Sequence, residues 1–296
     1  MSVVVTGAAG FVGSAVVSHL LERGDRVLAI DRLPVTRPGV GSVQADLCDG
    51  GPAVLAALGT ADAVIHLAGC PGVRDHSSGV ERRRQRDNVD ATRALLAATP
   101  VDVPVVVASS SSVYGGARHG RASREDDPCR PVGGYAASKL RAERLCAGRL
   151  EIGAPFAVAR PFTVVGEGQR SDMALSRWIA AARQGRPLRV LGSLDRTRDF
   201  TDVREVARAL VALAGAAGVV NIGCGTPRSL RDAIDAVGTV LGTQPVVEVA
   251  PAAPEEVPDT WADPSRLAEL TGIVPTTDLV DAVARVAGAP VLEAVG

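Results

Sequence analysis

The chain has 296 residues, with 32 basic against 33 acidic side chains and a net charge of −1, so no summed positive field exists to draw it onto nucleic acid or an acidic membrane. Hydrophobic residues make up 46% and charged ones 22%, the balance of a globular protein with one large domain or two modest ones. No run of about eighteen apolar residues lacks a charge, Gly or Pro, and Ser2-Val3-Val4-Val5-Thr6 is not preceded by a basic segment, so a cytoplasmic protein without membrane or nucleic-acid partners is the expectation.

Short Val/Ala/Ile runs alternate with helical patterns up to about residue 160, which predicts βαβ units around a parallel sheet. Strands are expected at Val3–Thr6, Arg26–Ile30, Ser42–Ala45, Ala63–Leu67, Val103–Ala108 and Phe156–Ala159. Helices are expected at Val12–Arg23, Pro52–Leu58, Arg84–Ala98 and Tyr135–Arg149. The strands are apolar on both faces, as burial between two helical layers requires. The run Arg82-Arg83-Arg84, flanked by Glu81 and Asp87, reads as the solvated face of a helix.

Past residue 160 Gly and Pro become frequent, and helices near Met173–Gln184, Val203–Ala214, Leu230–Leu241 and Leu279–Val286 are separated by short strands and loops. This part is not expected to extend the sheet in the same regular way. The predicted fold is α/β: a Rossmann-type doubly wound parallel sheet with a smaller C-terminal α/β substrate-binding lobe. Residues 1–165 form the nucleotide-binding domain, with 196–224 packing back on it, and 166–195 and 225–296 form the lobe over the carboxyl ends of the strands, where open α/β sheets bind ligands. Five cysteines without a C-x-x-C offer neither a disulfide framework nor a zinc site, and no metal is expected.

Directly after the first strand stands Thr6-Gly7-Ala8-Ala9-Gly10-Phe11-Val12-Gly13. Glycines there permit a tight turn, and the backbone N–H groups from Gly7 and Gly10 to Phe11, Val12 and Gly13 can approach a pyrophosphate at a helix N-terminus. Asp31 closes the second strand, 18 residues past Gly13, where its carboxylate can accept hydrogen bonds from the adenosine ribose. An anion there repels a 2′-phosphate, so NAD is expected rather than NADP, with Arg32 next to it moderating the preference. Asp46 and Leu47, after the third strand, are placed to cover the adenine.

A single lysine, Lys139, stands four residues after Tyr135, one of only two tyrosines. On a helix this spacing puts phenol and ammonium on one face. A nearby cation favours phenolate, so Tyr135 is expected to have a lowered pKa and to act as a general base with Lys139 as its partner. The cluster Ser109-Ser110-Ser111-Ser112-Val113-Tyr114-Gly115 follows a strand that meets the cofactor crevice, where a hydroxyl can hydrogen-bond the reacting group.

Taken together, T-G-x-x-G-x-x-G, S-S-x-x-V-Y-G and Y-x-x-x-K resemble the extended short-chain dehydrogenase/reductase superfamily, in its NAD-dependent sugar-nucleotide epimerase/dehydratase branch. The resemblance implies that Ser110 is the catalytic hydroxyl, and it extends to His66-Leu67-Ala68-Gly69, Asn88, the segment Arg160 to Gln169, Arg198-Asp199-Phe200 and Asn221-Ile222-Gly223. By it, Leu67, Ala68, Gly69 and Asn88 join Tyr135 and Lys139 around the cofactor, and Arg198 grips the nucleotide diphosphate.

Dehydratases of this branch carry Asp-Glu directly after the catalytic hydroxyl. Here those positions are Ser111 and Ser112, which leaves oxidation and re-reduction at one carbon as the economical reaction. The serine cluster, Pro71-Gly72-Val73-Arg74, Phe162-Thr163 and Arg170-Ser171-Asp172 look most like the UDP-glucuronate 4-epimerases. That likeness implies a UDP-sugar substrate met by Arg74, Ser111, Ser112, Thr163, Arg170, Val190 and Arg198, with Thr163 and Arg170 at its carboxylate, and a homodimer. Ala253, Glu255 and Glu256 depart from the Arg and Gly-Asp of many relatives. Two other readings stay open: a dehydratase or 4-ketoreductase of a specialised sugar pathway, and a non-catalytic NAD-binding regulatory protein.

Overall fold

The computed structural model describes residues 1–288 apart from His119 and Gly153; residues 289–296 of the expected lobe lie outside it. The first half runs β1 (Ser2–Thr6), α1 (Phe11–Glu22), β2 (Arg26–Asp31), β3 (Val40–Gln44), α2 (Pro52–Gly59) and β4 (Ala63–His66). It continues through α3 (Val80–Arg84), a π-helical turn (Gln85–Asp90), α4 (Ala91–Ala98), β5 (Val105–Ala108), a 3₁₀ turn (Ser111–Tyr114), α5 (Gly133–Glu151) and β6 (Phe156–Pro161).

The second half contains β7 (Val164–Val165), α6 (Ala174–Arg183), β8 (Leu188–Leu191), β9 (Thr197–Arg198), β10 (Thr201–Asp202) and α7 (Val203–Ala212). After these come β11 (Gly218–Ile222), β12 (Arg228–Ser229), α8 (Leu230–Leu241), β13 (Val247–Ala250), α9 (Ser265–Thr271) and α10 (Leu279–Gly288).

Seven parallel strands form the central sheet in the order β11-β6-β5-β4-β1-β2-β3. One face is covered by a core in which Val16, Val17 and Leu20 of α1 meet Val206, Leu210 and Leu213 on or just after α7, and the other by a core of Val54, Leu58, Leu95, Cys146 and Phe156. β4 is buried at every position, which explains the apolar run Ala63-Val64-Ile65: helices pack on both faces. A third core, built on Trp178, Leu188, Val190, Ile234 and Val283, belongs to the lobe.

Two expectations are corrected. The sheet does continue past residue 160: β11 pairs in parallel with β6, Val219 beside Val158 and Asn221 beside Arg160, and a five-residue strand reached only after a crossover of more than fifty residues carries no local sign of its partner. The fifth strand begins at Val105 because Pro104 has no N–H to give to the ladder, although its carbonyl still accepts from Val64.

Strand order reverses beside β1, whose neighbours are β2 and β4, so the loops after β1 and β4 open a crevice at the carboxyl edge. The two loops are in contact: a Cβ on Gly7 would lie 2.6 Å from the Ala68 nitrogen, and Gly7 has φ +68°. Only glycine satisfies both the conformation and the approach.

Candidate active site

The N-terminus of α1 has Gly10 at its cap and no side chain bonded to its first N–H groups. Phe11, Val12 and Gly13 therefore present open donors, and a Cβ on Gly13 would collide with the Gly7 carbonyl. The Asp31 carboxylate accepts from the Ala9 N–H at 3.0 Å and the Leu33 N–H at 2.9 Å, which fixes it beside the glycine turn. Such a cradle of bare N–H donors next to an anchored carboxylate fits the pyrophosphate and ribose of a dinucleotide.

Arg32 is committed elsewhere. Its guanidinium bonds both oxygens of Asp87, at 3.3 and 3.1 Å, and lies 3.8 Å from Asp46. Asp46 also pairs with Arg86 at 2.7 Å; burial pushes its carboxyl up, but the Arg86 guanidinium and the Cys48 N–H outweigh this and hold it below the usual range. Leu47 is buried with Val54 and Leu58, so of the two residues expected over the adenine, it is Asp46 that faces the rim.

Beneath the crevice, Thr6 is fully buried and its hydroxyl accepts from the N–H groups of Leu67 and Ala68, both at 3.3 Å. It donates to His66 Nδ1 at 2.7 Å. His66 Nε2 donates to the Thr92 hydroxyl at 3.1 Å, which in turn donates to the Asn88 carbonyl at 2.7 Å. This direction of donation needs a neutral ring, and burial together with the Lys139 charge lowers the His66 pKa to about 3.

Asn88 sits in the π-helical turn, and its side-chain oxygen accepts from the Cys70 N–H at 2.8 Å. Its amide nitrogen donates to the Cys70 carbonyl at 3.1 Å and the Ser138 hydroxyl at 2.8 Å. The loop after β4 is thereby tied to α5. A Cβ on Gly69 would come within 2.6 Å of the Asn88 oxygen and 3.4 Å of the Lys139 ammonium, so the expected cofactor-side residues Gly69, Asn88 and Lys139 do converge.

Tyr135 is half-buried near the start of α5, with the Ser110 hydroxyl in hydrogen-bonding reach of the phenol. The Ser110 oxygen also accepts from the Ser112 N–H at 3.2 Å, capping the 3₁₀ turn. The phenol pKa is raised, not lowered as the spacing suggested: burial dominates, and the opposing influences are the Ser110 hydrogen bond and the charges of Arg170 and Arg84. Lys139 turns instead to the Ala108 carbonyl at 2.9 Å. Burial lowers its own pKa to about 8, with Glu143 acting in the opposite direction.

Glu143, one turn beyond Lys139, went unnoticed in the sequence. It accepts from the Ser109 hydroxyl and pairs with Arg160 at 2.7 and 3.0 Å. Arg160 continues to the Tyr114 hydroxyl at 2.9 Å, which donates to Asn221 at 2.7 Å. Four sequence motifs are thus one buried network across β5, β6 and β11. Its only advance sign was the helical spacing Tyr135, Lys139, Glu143.

Arg84 is another correction. Far from solvated, it is 3% exposed, and its guanidinium donates to the Gly72 and Asp75 carbonyls at 2.7 and 2.9 Å and to Glu81 at 2.5 Å. It locks the loop that carries Arg74 against α3; the other two arginines of the run are not buried.

Of the residues expected at the substrate, Ser111 and Ser112 lie in the 3₁₀ turn beside Ser110, and the Ser112 hydroxyl is buried without a partner. Thr163 joins β6 to β7, and Arg170 is held by Asp172 at 2.9 and 3.0 Å. Arg198 donates to Thr197, Pro258 and Val257 carbonyls and to Glu256, which also pairs with Arg74. Val190 does not join them: it is fully buried on β8 in the lobe core with Trp178 and Leu188, because its strand packs under the lobe helices.

Residues 3–223 match the NAD dependent epimerase/dehydratase family. A UDP-glucose epimerase of Bacillus subtilis (strain 168), YtcB, itself uncharacterised, is 31% identical, over 95% of each chain. The structure of MoeE5 with UDP-glucuronic acid and NAD superposes with a TM-score of 0.87 at 36% identity, covering 97% of this chain and 98% of that one. The Bacillus cereus UDP-glucuronic acid 4-epimerase, solved with UDP-glucuronic acid and NAD, gives 0.87 at 29% identity over 96% and 97%. With a cradle of bare N–H donors, an anchored Asp31 and a Ser110, Tyr135, Lys139 cluster at the switch point of its sheet, the chain belongs to the NAD-dependent epimerase/dehydratase family, and its cofactor is NAD.

Proposed function

We propose that the protein inverts a hydroxyl-bearing carbon, C4, of a UDP-sugar, with UDP-glucuronate or a close relative as substrate. The observation that carries this is the composition of the site at the end of β5: Ser110 faces Tyr135, while Ser111 and Ser112 replace the acids an elimination would need. NAD, when bound, supplies the hydride chemistry. Tyr135 takes the proton of the C4 hydroxyl, Ser110 hydrogen-bonds the same oxygen, and Lys139 places positive charge beside the cofactor and the phenol. Tyr135 returns the proton once the ring has presented its other face.

Support for an acidic sugar comes from Arg170, whose charge reaches the Tyr135 phenol. A carboxylate one carbon removed from the reacting ring position suits a guanidinium close to the base, since its fork binds both oxygens. Thr163 completes that end, and Arg74 and Arg198 hold the diphosphate. In this reading residues 166–195 and the described part of 225–296 act as a substrate lobe around the nucleotide-binding sheet, apart from α9, whose Leu267 packs in the sheet's core with α1 and α7. Among the described residues no helix is long and apolar enough to cross a membrane, which agrees with a cytoplasmic enzyme. α4 and α5 lie side by side and offer the outer faces on which a homodimer would form.

The test is incubation with UDP-, dTDP- and GDP-sugars followed by NMR of the products. A C4 epimer formed without net consumption of NAD is the expected result. A product lighter by one water, or stoichiometric use of NADH, overturns it.

A further inference from the structure

We infer that Glu143 is a positioning residue of the catalytic centre: through Ser109 it fixes the serine turn at the end of β5, and it sets a negative charge beside Lys139. The inference deepens the proposed function and rests on its assignment of Ser110, Tyr135 and Lys139. Three consecutive residues at the end of β5 are each tied to α5. The Ala108 carbonyl accepts from the Lys139 ammonium at 2.9 Å, the Ser109 hydroxyl donates to the Glu143 carboxylate, and the Ser110 hydroxyl is in reach of the Tyr135 phenol. Tyr135, Lys139 and Glu143 follow one another in four-residue steps, so all three project from one face of the helix.

The tie at Ser109 is anchored on its other side by β6. The Ser109 N–H donates to the Ala159 carbonyl at 2.7 Å. Arg160, the next residue of β6, donates to Glu143 through Nε at 3.0 Å and through Nη2 at 2.7 Å. Both carboxylate oxygens are therefore held from β6, while one of them holds the residue that precedes Ser110. Ser109 is buried and the Glu143 and Arg160 side chains are nearly so, which leaves little water to replace these bonds. If Ser109 turned, the Ser110 hydroxyl would turn with it.

Lys139 is buried too, and the ionisable groups around it come from several elements. On β4 and the loop after it are His66, with its pKa lowered to about 3, and Cys70, whose thiol burial pushes up. On α5 are the Tyr135 phenol, also pushed up by burial, Cys146, pushed up to about 12, and Glu143. Asp87, in the π-helical turn packed against α5, is turned to Arg32 and Arg86, and Arg160 of β6 is paired with Glu143 itself. Imidazole, thiols and phenol are neutral at working pH, so among these groups the Glu143 carboxylate is the anion that acts on the ammonium. A buried cation without a counter-charge gives up its proton. Glu143 opposes that loss and keeps the charge the phenol and the cofactor need.

Lys139 is the only lysine of the chain, so protein grown on lysine labelled with ¹³C at Cε gives one lysine resonance, whose pH titration reads the ammonium directly. The full chain is titrated free and loaded with NAD, as wild type and as Glu143→Gln/Arg160→Met, which removes the pair without stranding a guanidinium. Ligand-free wild type should titrate near about 8 and the double variant at about 7 or below, and the variant should stay the lower of the two with NAD bound. A midpoint in the variant equal to or above that of wild type overturns the inference. Ser109→Ala keeps the carboxylate and loses only its grip on the turn; with UDP-glucuronate it should lower kcat about tenfold at constant KM, and an unchanged kcat or a loss confined to KM also overturns it. If wild type does not turn over UDP-glucuronate while the lysine midpoint falls in the double variant, the substrate reading falls and the role of Glu143 stands.

Discussion

The Asn88 amide donates to the Ser138 hydroxyl at 2.8 Å, joining a π-helical turn to the helix that holds Tyr135 and Lys139. Ser138 passes the bond on to the Tyr135 carbonyl at 2.7 Å. The inserted residue of the π turn aims Asn88 inward rather than along an ordinary helical face. Replacing Asn88 by Ala strands the Cys70 N–H and carbonyl in a buried place. A destabilisation of about 2–4 kcal/mol is expected, read by chemical denaturation, together with weaker NAD binding.

Tyr135→Phe should lower kcat by about 10³-fold and Ser110→Ala by about 10²-fold, the ordinary range for a positioned proton-transfer group, with NAD still bound. Steady-state rates and cofactor fluorescence check both. Because burial holds the phenol pKa up in the ligand-free protein, the wild-type rate should increase with pH on the acid side, a dependence that Tyr135→Phe should lose.

Lys139 sets the opposite limb. Its pKa is lowered to about 8, so the ammonium is lost as pH rises through that value, and activity should fall there. The stability consequence has its own sign: between about 8 and the unperturbed 10.5 the unfolded chain holds this proton and the folded chain does not, so this group makes the fold more stable as pH rises across that window. Activity profiles of wild type and Lys139→Arg, which has no such titration, separate the two effects.

His66 titrates far below its usual value, at about 3. The unfolded ring takes a proton near 6.5 while the folded one stays neutral, so the stability it contributes is complete above 6.5 and is lost as pH falls toward 3. Denaturation midpoints at pH 7 and 4 should differ less in His66→Gln than in wild type.

Glu143 and Arg160 are both nearly buried, at 8% and 5% side-chain exposure. Glu143→Gln leaves an uncompensated guanidinium and should cost about 3–5 kcal/mol. Adding Arg160→Met to that variant should restore part of the loss, and a double-mutant cycle by thermal denaturation measures the coupling.

The residues legible in the sequence were those whose partners lie close in the chain. The glycine turn from Thr6 to Gly13, the four-residue step from Tyr135 to Lys139 and the strand-then-serine order at Ala108–Ser110 each carry their geometry locally. What escaped was set by long-range contact. Arg84 is buried because the loop 72–75 folds over it, and Glu143 matters because Arg160 comes from another strand. The Tyr135 pKa went the wrong way in the sequence reading because spacing reports proximity to Lys139 and says nothing of desolvation.

β6 and β11 are neighbours in the sheet, yet the chain between them builds α6 and the strand β8 of the lobe before returning through α7. The lobe is therefore built from both sides of β11: α6 and β8 come before that strand, and α8 and α10, which share their core, come after it. Cutting the gene after residue 165 would strip the edge from the sheet, bare the backbone of β6 and remove Val206 and Leu210 from the core against α1. Such a fragment should be recovered as aggregate, and exchanging the lobe between relatives would require splice points on both sides of β11.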